Sequence, residues 1–348
     1  MRELFYGYFR PSQQQLDVLW NEGLIVPDAN VLLNVYRYSP SARDALLAAL
    51  DRFKDRLWIP HQFALEYHRR RIEVIAKQAN SCDATFKEIE TLVRDFKSLR
   101  SHALISGDHL KSLGAISTSL RESKEKCEGL LSEDQYMDVI CSLFDQRVGP
   151  PPDDAARAGL QAEADSRFQN KIPPGYEDLK SKSGVEAFGD YFGWAQILQH
   201  AKASKKHVLL LTDDRKNDWW IEKQRGRSIG PRPELLEEFR RVTGGLFYMY
   251  SPDRFMEIAA SRFGIEIEAG TMQEIRDQSE LPRDLGKAAA SAPSSSLDVS
   301  EQDAIDSPKL YGSGRMTEYL DTEDTPKAQV LPDATRKGEP PLDEKGDT

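Results

Sequence analysis

Gly23-Leu-Ile-Val-Pro-Asp-Ala-Asn-Val-Leu-Leu-Asn34 is the stretch on which the fold turns. Its first half is a short apolar run flanked by glycine and proline and ending at Asp28, the pattern of a strand buried on both faces. A second run of this kind, His207-Val-Leu-Leu-Leu-Thr212, is followed at once by Asp213-Asp214. Around these runs the periodicity changes. Ser41 to Phe53 places Ala45, Leu46, Leu50 and Phe53 at helical spacing, with Ser41 as the candidate N-cap. Leu57-Trp-Ile-Pro60 reads as a second short strand, and Gln62 to Gln78 as a second helix. Strand, helix, strand, helix is the grammar of a parallel sheet.

The same pattern resumes later. Ile172 to Tyr176 reads as a loop, Val185 to Ala203 and Glu234 to Thr243 as helices, and Gly244-Gly245 as a helix stop. Leu246 to Tyr250 is a last strand and Pro252 to Phe263 a last helix. Between the two α/β halves, residues 81–170 hold long Lys-, Glu-, Ser- and Leu-rich stretches with no strand-like run, broken by Gly149-Pro-Pro-Pro-Asp153. The expected organisation is therefore a first half of the core at 1–80, an inserted helical hairpin at 81–170, a second half at 171–277 and a disordered tail at 278–348. The tail is acidic and poor in apolar residues. Its one aromatic patch, Lys309 to Leu320, reads either as a docking segment or as chance composition.

At 348 residues, with 39% hydrophobic and 30% charged, the chain can build one good core beside an insertion and a tail. No apolar run nears the roughly 20 residues that cross a membrane. Residues 1–10 lack the apolar segment of an export signal, and three cysteines (Cys82, Cys127, Cys141) make no disulfide framework, so a cytoplasmic setting is expected. The net charge is −10, but residues 281–348 carry 8 Lys and Arg against 14 Asp and Glu, so −6 of it lies in the tail. The total does not exclude a nucleic-acid partner, whose binding depends on local basic patches.

The strand ends carry acids. In an open parallel sheet, ligands bind beyond the carboxyl ends of the strands, near the point where strand order reverses. Asp28 alone reads more readily as a helix cap or turn former, but with Asp213-Asp214 it marks two such edges. Glu66 lies one turn into the helix after Leu57–Pro60, and Asp190 sits among Phe188, Tyr191, Phe192 and Trp194, where an unpartnered carboxylate is costly. Gathered carboxylates suit hard divalent ions such as Mg2+ or Mn2+, which can polarise a phosphodiester and activate water. No phosphate-binding glycine loop or dinucleotide fingerprint occurs, and the six histidines show no paired zinc-ligand spacing. His68-Arg69-Arg70-Arg71 and Lys223, Arg225, Arg227 and Arg232 are candidate phosphate contacts or plain surface charge. Trp219 and Trp220 are either base-stacking groups or packing.

These residues resemble a known family. Ile25-Val-Pro-Asp-Ala-Asn-Val-Leu-Leu-Asn34 is similar to the opening strand of PIN-domain nucleases, Glu66 in Ile59–Tyr67 to the acid after their second strand, Asp190 in Phe188–Leu198 to their third acid, and Thr212-Asp-Asp214 to their Thr-x-Asp. With Pro173-Pro-Gly-Tyr-Glu-Asp178 and Lys216-Asn-Asp-Trp-Trp220, the set is closer to the larger bacterial PIN-like proteins than to the compact toxin ribonucleases. The resemblance implies a three-layer α/β/α sandwich with a mostly parallel central sheet, and Mg2+ or Mn2+ held by Asp28, Glu66, Asp190 and Asp214. The tandem leaves Asp213 open as the ligand instead. Thr212 and Asn30 are then supporting groups. The implied activity is metal-dependent RNA cleavage. The competing readings are a DNA nuclease of a bacterial defence system, an interaction module that recruits protein partners through the hairpin or tail, and a phosphoaspartate receiver. The last lacks the lysine expected after a later strand, because Leu246–Tyr250 is followed by Ser251-Pro-Asp-Arg254.

Overall fold

The computed structural model describes residues 1–98, 107–221 and 230–280. The expected phosphate contacts Lys223, Arg225 and Arg227, and the tail beyond residue 280, lie outside the described residues. The elements run α1 (Gln13–Glu22), β1 (Leu24–Pro27), α2 (Ala29–Leu33), α3 (Pro40–Arg52), α4 (His61–Ser98), α5 (Gly107–Ser132), α6 (Gln135–Leu143) and α7 (Asp154–Gln169). Then follow α8 (Gly189–Ser204), β2 (Val208–Leu211), α9 (Pro233–Thr243), β3 (Phe247–Tyr250), α10 (Pro252–Phe263) and α11 (Ala269–Glu280).

The three strands pair in parallel in the order β1-β2-β3, with Leu24 opposite Val208 and Val208 opposite Phe247. Leu57–Pro60 does not form a full strand. It adds single bridges, Leu57 to Ile25 and Ile59 to Val148, on the far side of β1. The segment is short and ends at a proline that cannot donate to the ladder, which explains the reduced pairing. The order across the molecule is thus Val148, Leu57–Ile59, β1, β2, β3. The chain moves outward from β1 in one direction and returns to its other side at β2. Strand order reverses between β1 and β2, and that is where a crevice opens in such sheets.

Alternation along β3 sorts the helices into two layers. Tyr250 meets Trp20 of α1 at 5.6 Å, and Trp20 stacks on Phe255 of α10 at 5.3 Å and lies 5.9 Å from Phe53 at the end of α3. On the opposite face Phe247 meets Trp194 of α8 at 5.0 Å and Phe239 of α9 at 5.2 Å. This is the expected α/β/α sandwich.

Three helix boundaries differ from expectation. The N-cap of α3 is Ser39, not Ser41; its side chain accepts from the Ala42 amide, and Pro40 starts the helix. Residues 184–188 form a 3-10 turn before α8 begins at Gly189. The helix after Leu57–Pro60 does not stop near residue 78: α4 contains no Gly or Pro and runs 38 residues, so the boundary at residue 80 falls inside it. Its distal part pairs with α5 through Lys124 to Asp83 (2.9 Å) and Arg121 over Phe86 (5.0 Å). At the other end, α11 buries Ile275 and so belongs to the core.

Candidate active site

The local sequence explains how each acid is aimed. Asp28 ends β1 and caps α2: one oxygen accepts from the Val31 amide at 2.9 Å, and the other accepts from the Thr212 hydroxyl at the end of β2. Thr212 also accepts from the Asp214 amide (3.0 Å), so one hydroxyl joins the two strand ends. Glu66 and Asp190 meet because α4 and α8 cross closely at Gly193, where a Cβ would lie 2.0 Å from the Phe63 ring. Glu66 is one turn beyond Phe63 and Asp190 one turn before Gly193. Asp28, Glu66, Asp190 and Asp214 all line one cavity of about 10 Å3, together with Asn30, Thr212 and Trp219.

Residues 24–235 match the PIN-like domain family. This chain belongs to it. The matched stretch starts at β1, ends within α9 and runs through residues 81–170, which the sequence resemblance had left out. No curated protein and no solved structure matches the chain. PIN-like domains are commonly nucleases that bind nucleic acid and use divalent metals, so this is a nuclease-type fold. Among the described residues no helix is long and apolar enough to cross a membrane.

Cations from the protein itself occupy the acid cluster of this PIN-like domain. Lys216 Nζ lies 2.7 Å from Asp214 and 3.2 Å from Asp190, and it also pairs with Asp178. Lys182 Nζ holds the other Asp178 oxygen at 2.7 Å, and Arg70 holds Glu66 at 2.8 Å and Asn30 at 3.2 Å. Burial works to raise the Asp190 carboxyl, but Lys216 and Lys182 overcome it and hold it below the usual range. Asp214 moves the other way, pushed up by burial and by the charge of Asp190 against the pull of Lys216. Burial disfavours the Lys216 charge, yet the carboxylates of Asp190, Asp214 and Asp178 hold its proton more tightly than normal.

The donor chemistry fits a divalent ion. Carboxylate oxygens are the ligands Mg2+ and Mn2+ take, and the ammonium between Asp190 and Asp214 shows that the cluster already calls for a cation. Among the described residues no group of three or more His, Cys, Asp or Glu side chains is arranged to hold a metal ion.

Of the remaining predicted residues, Asp213 faces away from the cavity, accepting from Asn34 at 3.1 Å beside Tyr38, whose hydroxyl is pushed up by burial and then by the Asp213 charge. That separates the tandem: Asp214 lines the cavity and Asp213 does not. Arg69, Arg70 and Arg71, expected as phosphate contacts, leave α4 on different faces, because each residue turns the helix by about 100°. Arg70 reaches the site, Arg71 pairs with the buried Asp134, and Arg69 is exposed. Arg232 pairs with Glu234 at 2.5 Å. Trp219 is packed against Trp194 and donates to Asp190 at 3.2 Å, whereas Trp220 donates to the Asp214 carbonyl.

Sequence reasoning missed Asp178, Lys182, Lys216 and Asp218 as parts of the site. For Asp178, Lys216 and Asp218 the available signal was their place in Pro173–Asp178 and Lys216–Trp220, both rich in charge beside aromatics; Lys182 lies in neither stretch. Asp218 is fully buried, and one oxygen accepts from the Gly175 and Glu177 amides, each at 2.9 Å. This fastens the 176–180 turn carrying Asp178 to the segment carrying Lys216. Gly175 has φ +98°, and a Cβ there would press on Asp190 Cβ at 3.2 Å, so two independent constraints favour glycine. Burial pushes the Asp218 carboxyl up to about 6, against the pull of the Glu177 amide.

Proposed function

We propose that this PIN-like domain is a Mg2+- or Mn2+-dependent endoribonuclease in which Asp28, Glu66, Asp190 and Asp214 hold the metal. The observation that carries this reading is the convergence of acids from β1, α4, α8 and the end of β2 on one cavity where strand order reverses. A bound divalent ion supplies charge for the phosphodiester and lowers the pKa of a water. The chain's own residues do the positioning. Thr212 fixes the Asp28 carboxylate, Asn30 and Arg70 fix Glu66, and Trp219 orients Asp190. Lys216 neutralises Asp190 and Asp214 and so keeps mutually repelling carboxylates together. The choice of RNA rests on the resemblance to PIN-domain ribonucleases.

The test is a cleavage assay of the full chain on single-stranded RNA, single-stranded DNA and duplex DNA in Mn2+, Mg2+ or EDTA, beside Asp28→Asn. Asn keeps an acceptor for the Val31 amide, so the α2 cap survives. Metal-dependent cutting of RNA that the variant lacks is the expected result. Preferred cutting of DNA reassigns the polymer. No cutting of any substrate by the native chain overturns the nuclease reading in favour of an interaction module.

A further inference from the structure

A cleft of about 850 Å3 opens beside the ends of β2 and β3, on the face of the sheet covered by α1 and α10. It shares Thr212 and Asp214 with the acid cavity, so the two spaces lie on opposite sides of one short segment. Its described lining holds five arginines against three carboxylates, and one of those, Asp214, is already met by Lys216. Arg254 and Arg276 are both committed to Glu257 (2.5 and 3.2 Å) and Arg262 to Asp17 (2.7 Å). Arg10 and Arg215 are exposed and have no carboxylate partner among the described residues. Half-buried Tyr248 and Trp220 complete the wall between them.

Unpaired guanidiniums beside aromatic faces are the chemistry that takes phosphates and unstacked bases together. The volume lies within the roughly 300–1,000 Å3 of sites that enclose small organic ligands. Such a space admits a splayed nucleotide with its base unstacked. We propose that this cleft is the binding subsite for unpaired nucleotides flanking the phosphodiester at the acid cavity, with Arg10 and Arg215 on phosphates and Tyr248 or Trp220 on a base. The assignment rests on the nuclease reading for its geometry and adds to it a requirement for single strands.

Binding is measured in EDTA by fluorescence anisotropy of the full chain with labelled single-stranded RNA, single-stranded DNA and duplexes of the same sequence, over a salt series. The variants are Arg10→Gln, Arg215→Gln and Tyr248→Phe, with Arg94→Gln on the distal part of α4 as control. Single strands are expected to bind at least about tenfold more tightly than duplexes, and each arginine variant to flatten the salt dependence by about 0.7 in log–log slope. Arg94→Gln leaves both unchanged, and Tyr248→Phe, which keeps the ring, leaves strand preference intact. Duplexes binding as well as single strands, slopes indifferent to Arg10 and Arg215, or no binding at all overturn the subsite. Cleavage that persists while binding ignores both arginines removes the cleft and leaves the nuclease. Arginine-dependent binding by a chain that cuts nothing in Mn2+ keeps the cleft and removes the nuclease.

Discussion

On one side of Thr212 and Asp214 lies a cavity of about 10 Å3 in which every acid answers to an internal partner; on the other lies a cleft of about 850 Å3 where Arg10 and Arg215 have no carboxylate partner among the described residues. The acid side is closed by Lys216, Lys182, Arg70 and the Thr212 hydroxyl. Buried charge without a partner costs several kcal/mol, so the acid cluster has to carry its own cations until another arrives. Exposed arginines are hydrated and cost little to leave open. The difference separates two proposed modes of binding: on the reading given above, the cavity would take its metal by exchange against Lys216, and the cleft would take an anion by direct addition.

The comparison breaks most visibly at Lys216. Lys216→Met strands Asp178, Asp190 and Asp214 without their shared cation and is expected to cost about 3–5 kcal/mol of stability in EDTA. Adding Mn2+ is expected to restore much of the melting temperature, by more than it raises that of the native chain. Equal Mn2+ shifts in both proteins defeat the exchange idea. Next in size, Asp190→Asn is expected to lower Mn2+-dependent cleavage by about two to three orders of magnitude while single-strand binding in EDTA holds. On the cleft side the effect is smaller: Arg10→Gln is expected to weaken single-strand affinity by roughly tenfold or less at low salt and to lose even that difference as salt rises.

The smallest effect concerns Asp218. Its folded-state carboxyl sits at about 6 against an ordinary value of 3.8, so the folded state binds the extra proton and ionisation costs stability. That cost is absent below the unfolded value and complete above the folded one. Asp218→Asn, which keeps an acceptor for the Gly175 and Glu177 amides, is expected to gain in relative stability as pH rises from about 4 to 6 and to level off above. Melting curves across that range check it, and a constant difference between the proteins contradicts it.

Much of this was legible in the sequence, and unevenly so. β1, β2 and β3 are apolar runs bounded by Gly, Pro or Asp, and each stands within a residue or two of its expected place. Gly244 and Gly264 end α9 and α10 in left-handed conformations, as helix-stop glycines do. α1 opens on Gln13-Gln14-Gln15, which hides its apolar face, although Ser12 and Gln15 form a capping box that can be read directly. The bridge at Val148 leaves no periodic trace, being one residue before Gly149 and three prolines. At the site, acids at strand ends announce themselves. Lys216 does not, because its direction depends on Asp178, which a buried Asp218 brings in from 40 residues away.

The unbroken length of α4 has a further consequence. Glu66 and the Asp83 and Phe86 contacts to α5 sit on one rod, and about 1.5 Å per residue puts roughly 26 Å between Glu66 and Asp83. Such a rod behaves like a threaded shaft. Removing a single residue from 80–82 leaves Glu66 where it is but spins everything beyond by about 100°, carrying Asp83 and Phe86 off α5. Removing seven spins it by only about 20°. Hairpins of this kind therefore tolerate changes of length in steps of about seven residues, matched in both arms, and a lineage of such chains should show arm lengths that differ by whole heptads.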